Sequence, residues 1–237
     1  MKIVAIFMKI FLTIAFFSIS LFVSAQGSQT RRTAIQHITG EPFVHYYATF
    51  DGVPFYKGDW MTGSITMKSG EIYNNLELRY DTYKDNLIYR NDISNNVIIV
   101  DKNSIDNFTL TDKSGKTELF KSINDKSLKD FEDRYLAIIL DDSISVLKKC
   151  EAKEEIYTNA NPNIKKTGAF DHKSTLYAWD KKGYYTVPKT RRAVYKQYFS
   201  HKSDIRKYVQ HNHIRMKNEE DVKLLYQEIN RLAKTSK

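Results

Sequence analysis

Between Gly63 and Leu110 the chain alternates apolar and polar residues in short runs of Ile, Val, Leu, Tyr and Phe. Ser-Gly, Asp-Thr-Tyr-Lys-Asp, Asn-Asp and Asp-Lys-Asn break these runs at intervals of roughly eight to twelve residues, the rhythm of an antiparallel meander. Ile65 and Met67 alternate with Ser64, Thr66 and Lys68. Beyond a Ser69-Gly70 hairpin turn, Ile72, Leu76, Leu78 and Tyr80 fall on one face of a strand, with Glu71, Asn75, Glu77 and Arg79 on the other. Upstream, Phe43 to Phe50 is apolar enough for a first strand, ended by Asp51-Gly52 and Pro54.

The same pattern continues through Leu87 to Tyr89, Val97 to Val100, Ile105 to Leu110 and Thr117 to Ile123. A short helical turn is predicted within Asn124 to Asp133. Arg134 to Leu140 (RYLAIIL) reads as a strand buried on both faces, and Asp141-Asp142-Ser143 returns the chain into Ile144 to Leu147. Tyr157 to Gly168 carries the strongest loop signal, and a last hairpin joins Thr175 to Trp179 with Tyr184 to Val187. After Pro188 the period shifts from two to about 3.6. Apolar stripes at Val194, Tyr195, Tyr198 and Phe199, at Ile205, Tyr208 and Val209, and from Val222 to Leu232 predict three short amphipathic helices, with Thr190, Ser203 and Asn218 as N-caps.

The expected fold is therefore mainly β (α+β): an antiparallel meander forming a curved sheet, sandwich or half-barrel, with about three amphipathic C-terminal helices. Aromatic residues make up 13% of the chain, which favours strands over a helical bundle. An outer-membrane barrel fits poorly, because most of the strands read here fall short of the roughly 9 to 11 residues that span a bilayer.

The N-terminus sets the compartment. Lys2 and Lys9 precede an uncharged run from Ile10 to Val23, and Val23-Ser24-Ala25 offers a small residue for signal cleavage. That run of 14 residues is shorter than the roughly 20 of a membrane-spanning helix. The expected organisation is a signal peptide at 1–25, a flexible leader at 26–42, an antiparallel β domain at 43–188 and a basic helical subdomain at 189–237. The protein is expected to be exported, whether periplasmic, outer-membrane-associated or extracellular, with no transmembrane span after cleavage. Its single cysteine, Cys150, allows no internal disulfide and reads as a small apolar residue at a strand end.

Charge divides unevenly. Residues 26–188 hold 22 Lys/Arg against 23 Asp/Glu, whereas residues 189–237 hold 13 against 5, so the C-terminal segment carries +8 of the formal net charge of +9. Lys189, Arg191, Arg192, Lys196, Lys202, Arg206 and Lys207, interleaved with Tyr195, Tyr198, Phe199 and Tyr208, form a candidate surface for an anionic lipid or glycan. In an exported protein nucleic acid is a poor partner. A solvated helix face accounts for the same pattern.

Catalytic and cofactor motifs are missing from the sequence. There is no H-E-x-x-H, G-x-S-x-G, Walker loop or dinucleotide fingerprint, and no cofactor is implied. His211-Asn212-His213 lacks a third ligand. Asp101 to Asp106 lacks the glycine and terminal glutamate of a calcium loop and reads as a turn, as do Asp81 and Asp85 around Tyr83. Asp141-Asp142 and Glu154-Glu155 would point to opposite faces of a strand. Lys148 and Lys149 do not by themselves activate the Cys150 thiol.

The run GSITMKSGEIYNNLELRYDTYKDNLIYR, with the export signal and the Lys-rich helical end, resembles a group of exported proteins of Gram-negative bacteria to which no activity is assigned. The resemblance implies export and a β-rich fold. It carries over no catalytic or binding residue, since Leu78 to Asp81 (LRYD) is strand and turn. The function expected is that of a non-catalytic envelope protein binding a hydrophobic ligand or a partner protein. The alternatives are a hydrolase of an envelope polymer and an adaptor docked through the basic helices.

Overall fold

The computed structural model describes residues 38–44, 50–91, 94–123, 131, 133–157 and 168–235. The expected signal peptide, most of the leader and of the first strand, the helical turn after Asn124, most of the loop after Tyr157, His37 and His45 lie outside the described residues. By contacts the chain falls into residues 1–40, of which three are described, and 41–237; the second unit holds the sheet and helices.

The turns of the meander are built by side-chain carboxylates and amides at the breaks in the apolar pattern. Asp81 Oδ1 accepts the backbone N–H groups of Tyr83 and Lys84, both at 3.0 Å. Asn91 Oδ1 accepts from Ser94, Asp101 Oδ1 from Asn103, and Asp112 Oδ1 from Ser114 and Lys116. Such Asx turns explain why Asp or Asn recurs there about every ten residues. They reverse the chain between β4 (Ile72–Asp81) and β5 (Asn86–Arg90), between β5 and β6 (Val97–Val100), ahead of β7 (Ile105–Thr111), and between β7 and β8 (Thr117–Ile123). Before them, β3 (Met61–Met67) pairs with both β4 and β7. Gly63 of β3 must be glycine, because a Cβ there would lie 2.0 Å from the Thr109 carbonyl oxygen.

After β8 come β9 (Arg134–Leu140) and a long hairpin of β10 (Ser145–Ile156) and β11 (Gly168–Asp180), closed by β12 (Gly183–Thr186). The two ends add β1 (Gly40–Pro42), next to β6, and β2 (Phe50–Asp51), which pairs in parallel with β11. Among the described residues the sheet has twelve strands, eleven in the order β1-β6-β5-β4-β3-β7-β8-β9-β10-β11-β12 and β2 off this path beside β11, and it is mainly antiparallel, curved and unclosed. Its curvature can be measured from side chains. Four strand spacings separate β4 from β9, roughly 19 Å in a flat sheet, yet the rings of Tyr80 and Tyr135 are 6.0 Å apart.

Aromatic rings fill the resulting hollow. Phe108 and Phe120, partners across β7 and β8, stack at 5.0 Å, and Tyr80 and Tyr135 meet them edge-on at 5.3 and 4.9 Å. Asp85 is buried among them, accepting hydrogen bonds from the Tyr80 hydroxyl, the Tyr135 backbone N–H and Lys102. A strap after β2 closes one end. Pro54 O accepts from Thr82, Phe55 bridges to Asp81, and the Tyr56 ring packs inside against Phe120 at 5.3 Å.

The three C-terminal helices are α1 (Arg191–Gln197), α2 (Lys202–His211) and α3 (Glu219–Thr235). Apart from Phe199, which the turn between α1 and α2 leaves exposed, their apolar stripes share one core with Val146, Ala178 and Val187, so they cover β9 to β12 rather than the whole sheet. Asn230 of α3 pins the helix to the β9–β10 turn, its Oδ1 accepting the Ile144 N–H at 2.8 Å and its Nδ2 donating to the Ile144 carbonyl at 2.9 Å.

Some details differ from the sequence expectation. A bulge at Asn74-Asn75, with Asn75 at φ 55°, pairs Ile65 with Tyr73 and Gly63 with Leu76. Tyr73 is therefore buried in place of Ile72, which is 57% exposed. Ser203 is not an N-cap: α2 starts one residue earlier from a 3-10 turn at Phe199–His201, whereas Thr190 and Asn218 accept hydrogen bonds from Ala193 and Asp221 as caps should. Cys150 sits in the middle of β10, not at a strand end.

Truncating Phe120 to Ala is expected to cost about 3–5 kcal/mol, while Ile72→Ser changes stability by less than about 0.5 kcal/mol. Urea titrations followed by circular dichroism check both. Equal losses would mean that Ile72 belongs to the core and that the bulge is misplaced.

Candidate functional site

Along β10, Val146, Lys148, Cys150 and Ala152 are buried on the inward phase of the alternation. Lys148 is only 3% exposed. A lysine in the apolar phase of a strand requires a partner, and the neighbouring strands supply one. Glu118, two positions before the core ring Phe120 and so on the same face of β8, is also buried and lies 3.0 Å from the ammonium.

A compact ionic cluster has grown around this pair. Glu118 also accepts the Tyr56 hydroxyl at 2.6 Å and lies 2.9 Å from Lys57, which reaches Asp112 at 2.7 Å. From the helical side Glu219, at the first turn of α3, lies 3.0 Å from Lys148, while Lys116 approaches Glu118 at 3.4 Å. The cluster joins four separate parts of the chain: strap, β8, β10 and α3. Burial alone would raise the Glu118 carboxyl, but the hydrogen bonds from Tyr56, Lys57 and Lys148 overcome it and hold the group at about 2. Burial alone would lower Lys148, and Glu118 and Glu219 reverse that, so both partners stay charged at neutral pH.

The cluster forms the floor of an open cleft of about 1050 Å³ between the hollow of the sheet and the start of α3. Ile138, Ile139, Leu176, Val187, Met216 and Val222 give it an apolar wall. Seven lysines (57, 116, 148, 173, 189, 217 and 223) face it against three glutamates (118, 219 and 220). A smaller hollow of about 430 Å³ adjoins it and shares Tyr56, Lys57, Lys173 and Ser174.

Chemistry by a nucleophile finds little support here. The Cys150 thiol beside the smaller hollow is pushed up to about 12 by burial, so it is protonated at neutral pH. His172, on the same hollow, directs Nε2 at the Val53 carbonyl, 2.8 Å away. Asp101 and Asp81 serve turns, as described above. Among the described residues no group of three or more His, Cys, Asp or Glu side chains is placed to hold a metal ion.

Of the basic residues singled out in the sequence, only Lys189 reaches the cleft. Arg191, Arg192 and Lys196 are exposed on α1, the Lys202 ammonium lies 5.4 Å from the Phe199 ring, the Arg206 guanidinium lies 5.6 Å from the Tyr195 ring, and Lys207 pairs with Asp204 at 3.9 Å. The residues of the ionic cluster were missed in the sequence. The signal available for them was the opposite charge of Glu118 and Lys148 at positions whose strand neighbours two residues away, Phe120 and Val146, are apolar. Among the described residues no helix is long and apolar enough to cross a membrane.

No protein-family model matches the chain, and no curated protein or solved structure matches it.

Lys148→Met leaves Glu118 without its one buried cation among the described residues and is expected to destabilise the fold by about 3–5 kcal/mol, read from urea midpoints. The pH dependence has a definite sign. Because the folded-state pKa of Glu118 lies below the ordinary 4.5, the unfolded chain binds more protons between the two values. The stability it contributes is complete above about 4.5 and is lost as pH falls towards about 2. Glu118→Gln should flatten that part of the acid limb, and an unchanged acid limb would show that the carboxylate is not ion-paired.

Proposed function

We propose that this is an exported, non-catalytic protein of the cell envelope that holds a hydrophobic ligand with an acidic head group in the cleft between the curved sheet and α3. The observation that carries the reading is the composition of the cleft: an apolar wall next to lysines in more than twofold excess over acids, four of them (Lys173, Lys189, Lys217 and Lys223) at the rim outside the ionic cluster of the floor. Its volume is at the upper end of small-molecule sites. An apolar wall receives hydrocarbon through the hydrophobic effect, and clustered ammonium groups at a partly dry rim favour a carboxylate or phosphate. Export rests on the N-terminal charge and apolar pattern. Glu118 held as an anion and Lys148 held as a cation favour fixed charges over proton transfer, which is why a binding role is preferred to a hydrolase.

Titration with dansylated undecanoic acid tests the reading. Saturable uptake is expected, with palmitate competing at least about tenfold better than hexadecanol, which has the same chain length but no charge. Ser174→Trp, at an exposed position facing both hollows, should abolish uptake without unfolding the protein. Absence of saturable uptake, or full uptake by Ser174→Trp, would remove the cleft as the site; equal competition by the alcohol would remove the acidic head group.

A further inference from the structure

The outward side of α1 and α2 is unlike the rest of the surface. Val194, Ile205 and Val209 are buried in the shared core, and the Tyr198 hydroxyl meets that of Tyr185 at 2.6 Å, so neither helix is free to roll. That fixes what faces away. Phe199 lies in the 3-10 turn between the two helices, Lys202 and Arg206 are four residues apart on one face of α2, and Tyr195 is half-buried at the edge of the core beside them. Contacts of Lys202 with the Phe199 ring and of Arg206 with the Tyr195 ring show the four to be one continuous ridge. Phe199 stands at the junction of the helices and is 74% exposed, more than any other large apolar side chain described.

The surroundings of that ring are cationic. From Lys189 to His211 the chain has seven Lys/Arg and one acid, Asp204. Among the described residues Arg191, Arg192, Lys196, Lys202 and Arg206 form no salt bridge, whereas most lysines of the sheet do. A ring without an adjoining apolar patch does not resemble the core of a protein–protein interface, which is a contiguous desolvated surface. An acidic glycan would account for the cations but gives a projecting phenyl ring nothing apolar to enter. An anionic bilayer offers both layers at the right depths: phosphates for the cations and acyl chains just beneath for the ring.

We infer that the ridge is a membrane-docking face, in which Phe199 enters the headgroup–acyl boundary of an anionic bilayer while Arg191, Arg192, Lys196, Lys202 and Arg206 lie among lipid phosphates. The charge of the C-terminal segment then has a job independent of the cleft. Lys189, two residues before α1, belongs to the cleft rim, so the face adjoins the cleft mouth.

The test is co-sedimentation of the intact protein, as its host processes it, with vesicles of phosphatidylcholine alone and of phosphatidylcholine mixed with phosphatidylglycerol. Binding to the mixed vesicles only is expected. Phe199→Ser should weaken it about tenfold, and the double change Arg191→Glu with Arg192→Glu by more than about tenfold; neither should alter the melting temperature, since all three side chains are exposed. Phe199→Trp should show emission quenched by lipids carrying brominated acyl chains. Equal binding to both vesicle types, binding to neither, or mixed-vesicle binding that survives Phe199→Ser would overturn the inference. So would unquenched emission of the tryptophan, which would leave a purely electrostatic surface for a soluble polyanion.

Discussion

A lysine and a glutamate buried face to face, Lys148 and Glu118, hold the architecture of this protein to one arrangement. Removing two charges from water is unfavourable by several kcal/mol for each ion, and only close, fully hydrogen-bonded geometry offsets it. That geometry exists only when the strap delivers Tyr56, β8 delivers Glu118 and α3 delivers Glu219 to the same point. The pair therefore acts as a registry device. A sheet curled less, or a helix docked one turn away, would leave a charge buried without a partner.

The aromatic cluster supplies the complementary force. Stacked rings on β7 and β8 with edge-on rings from β4 and β9 demand that strands four positions apart approach across the hollow. Rings and strap fill one end of the hollow, and the helices cover β9 to β12 at the other. Between those two fillings a cleft remains, floored by the ionic cluster. Its position follows from the packing: the helices cannot advance further over the sheet without displacing Lys116 and Lys148 from their carboxylates.

The limits of the sequence pattern show in particular residues. Asp81, Asn91, Asp101 and Asp112 are legible as turns because an Asx turn is local: donor and acceptor lie within four residues of one another. The alternation places Ile72 on the wrong face because one bulged residue reverses the phase of a strand, and two asparagines in succession announce it only weakly. Most of β10 and β11 is illegible in the sequence for a different reason. Their alternating Lys, Glu, Ser and His look solvated until the pairing of twelve positions, Ser145 with Trp179 through Ile156 with Gly168, places one phase inside.

Local chemistry, then, determined the β-rich meander, its turns, the three amphipathic helices and the concentration of positive charge after Pro188, because each depends on neighbours a few residues apart. Tertiary structure alone decided the curl, the strap across its mouth and the meeting of Tyr56, Glu118, Lys148 and Glu219. Those four are separated by up to 163 positions, and no alternation along a single strand encodes which distant charge will answer a buried one. The basic helices show the division within one segment. Their amphipathicity was written in the sequence, but which cations would line a cleft and which would surround an exposed phenyl ring was settled only when the apolar stripes found the sheet.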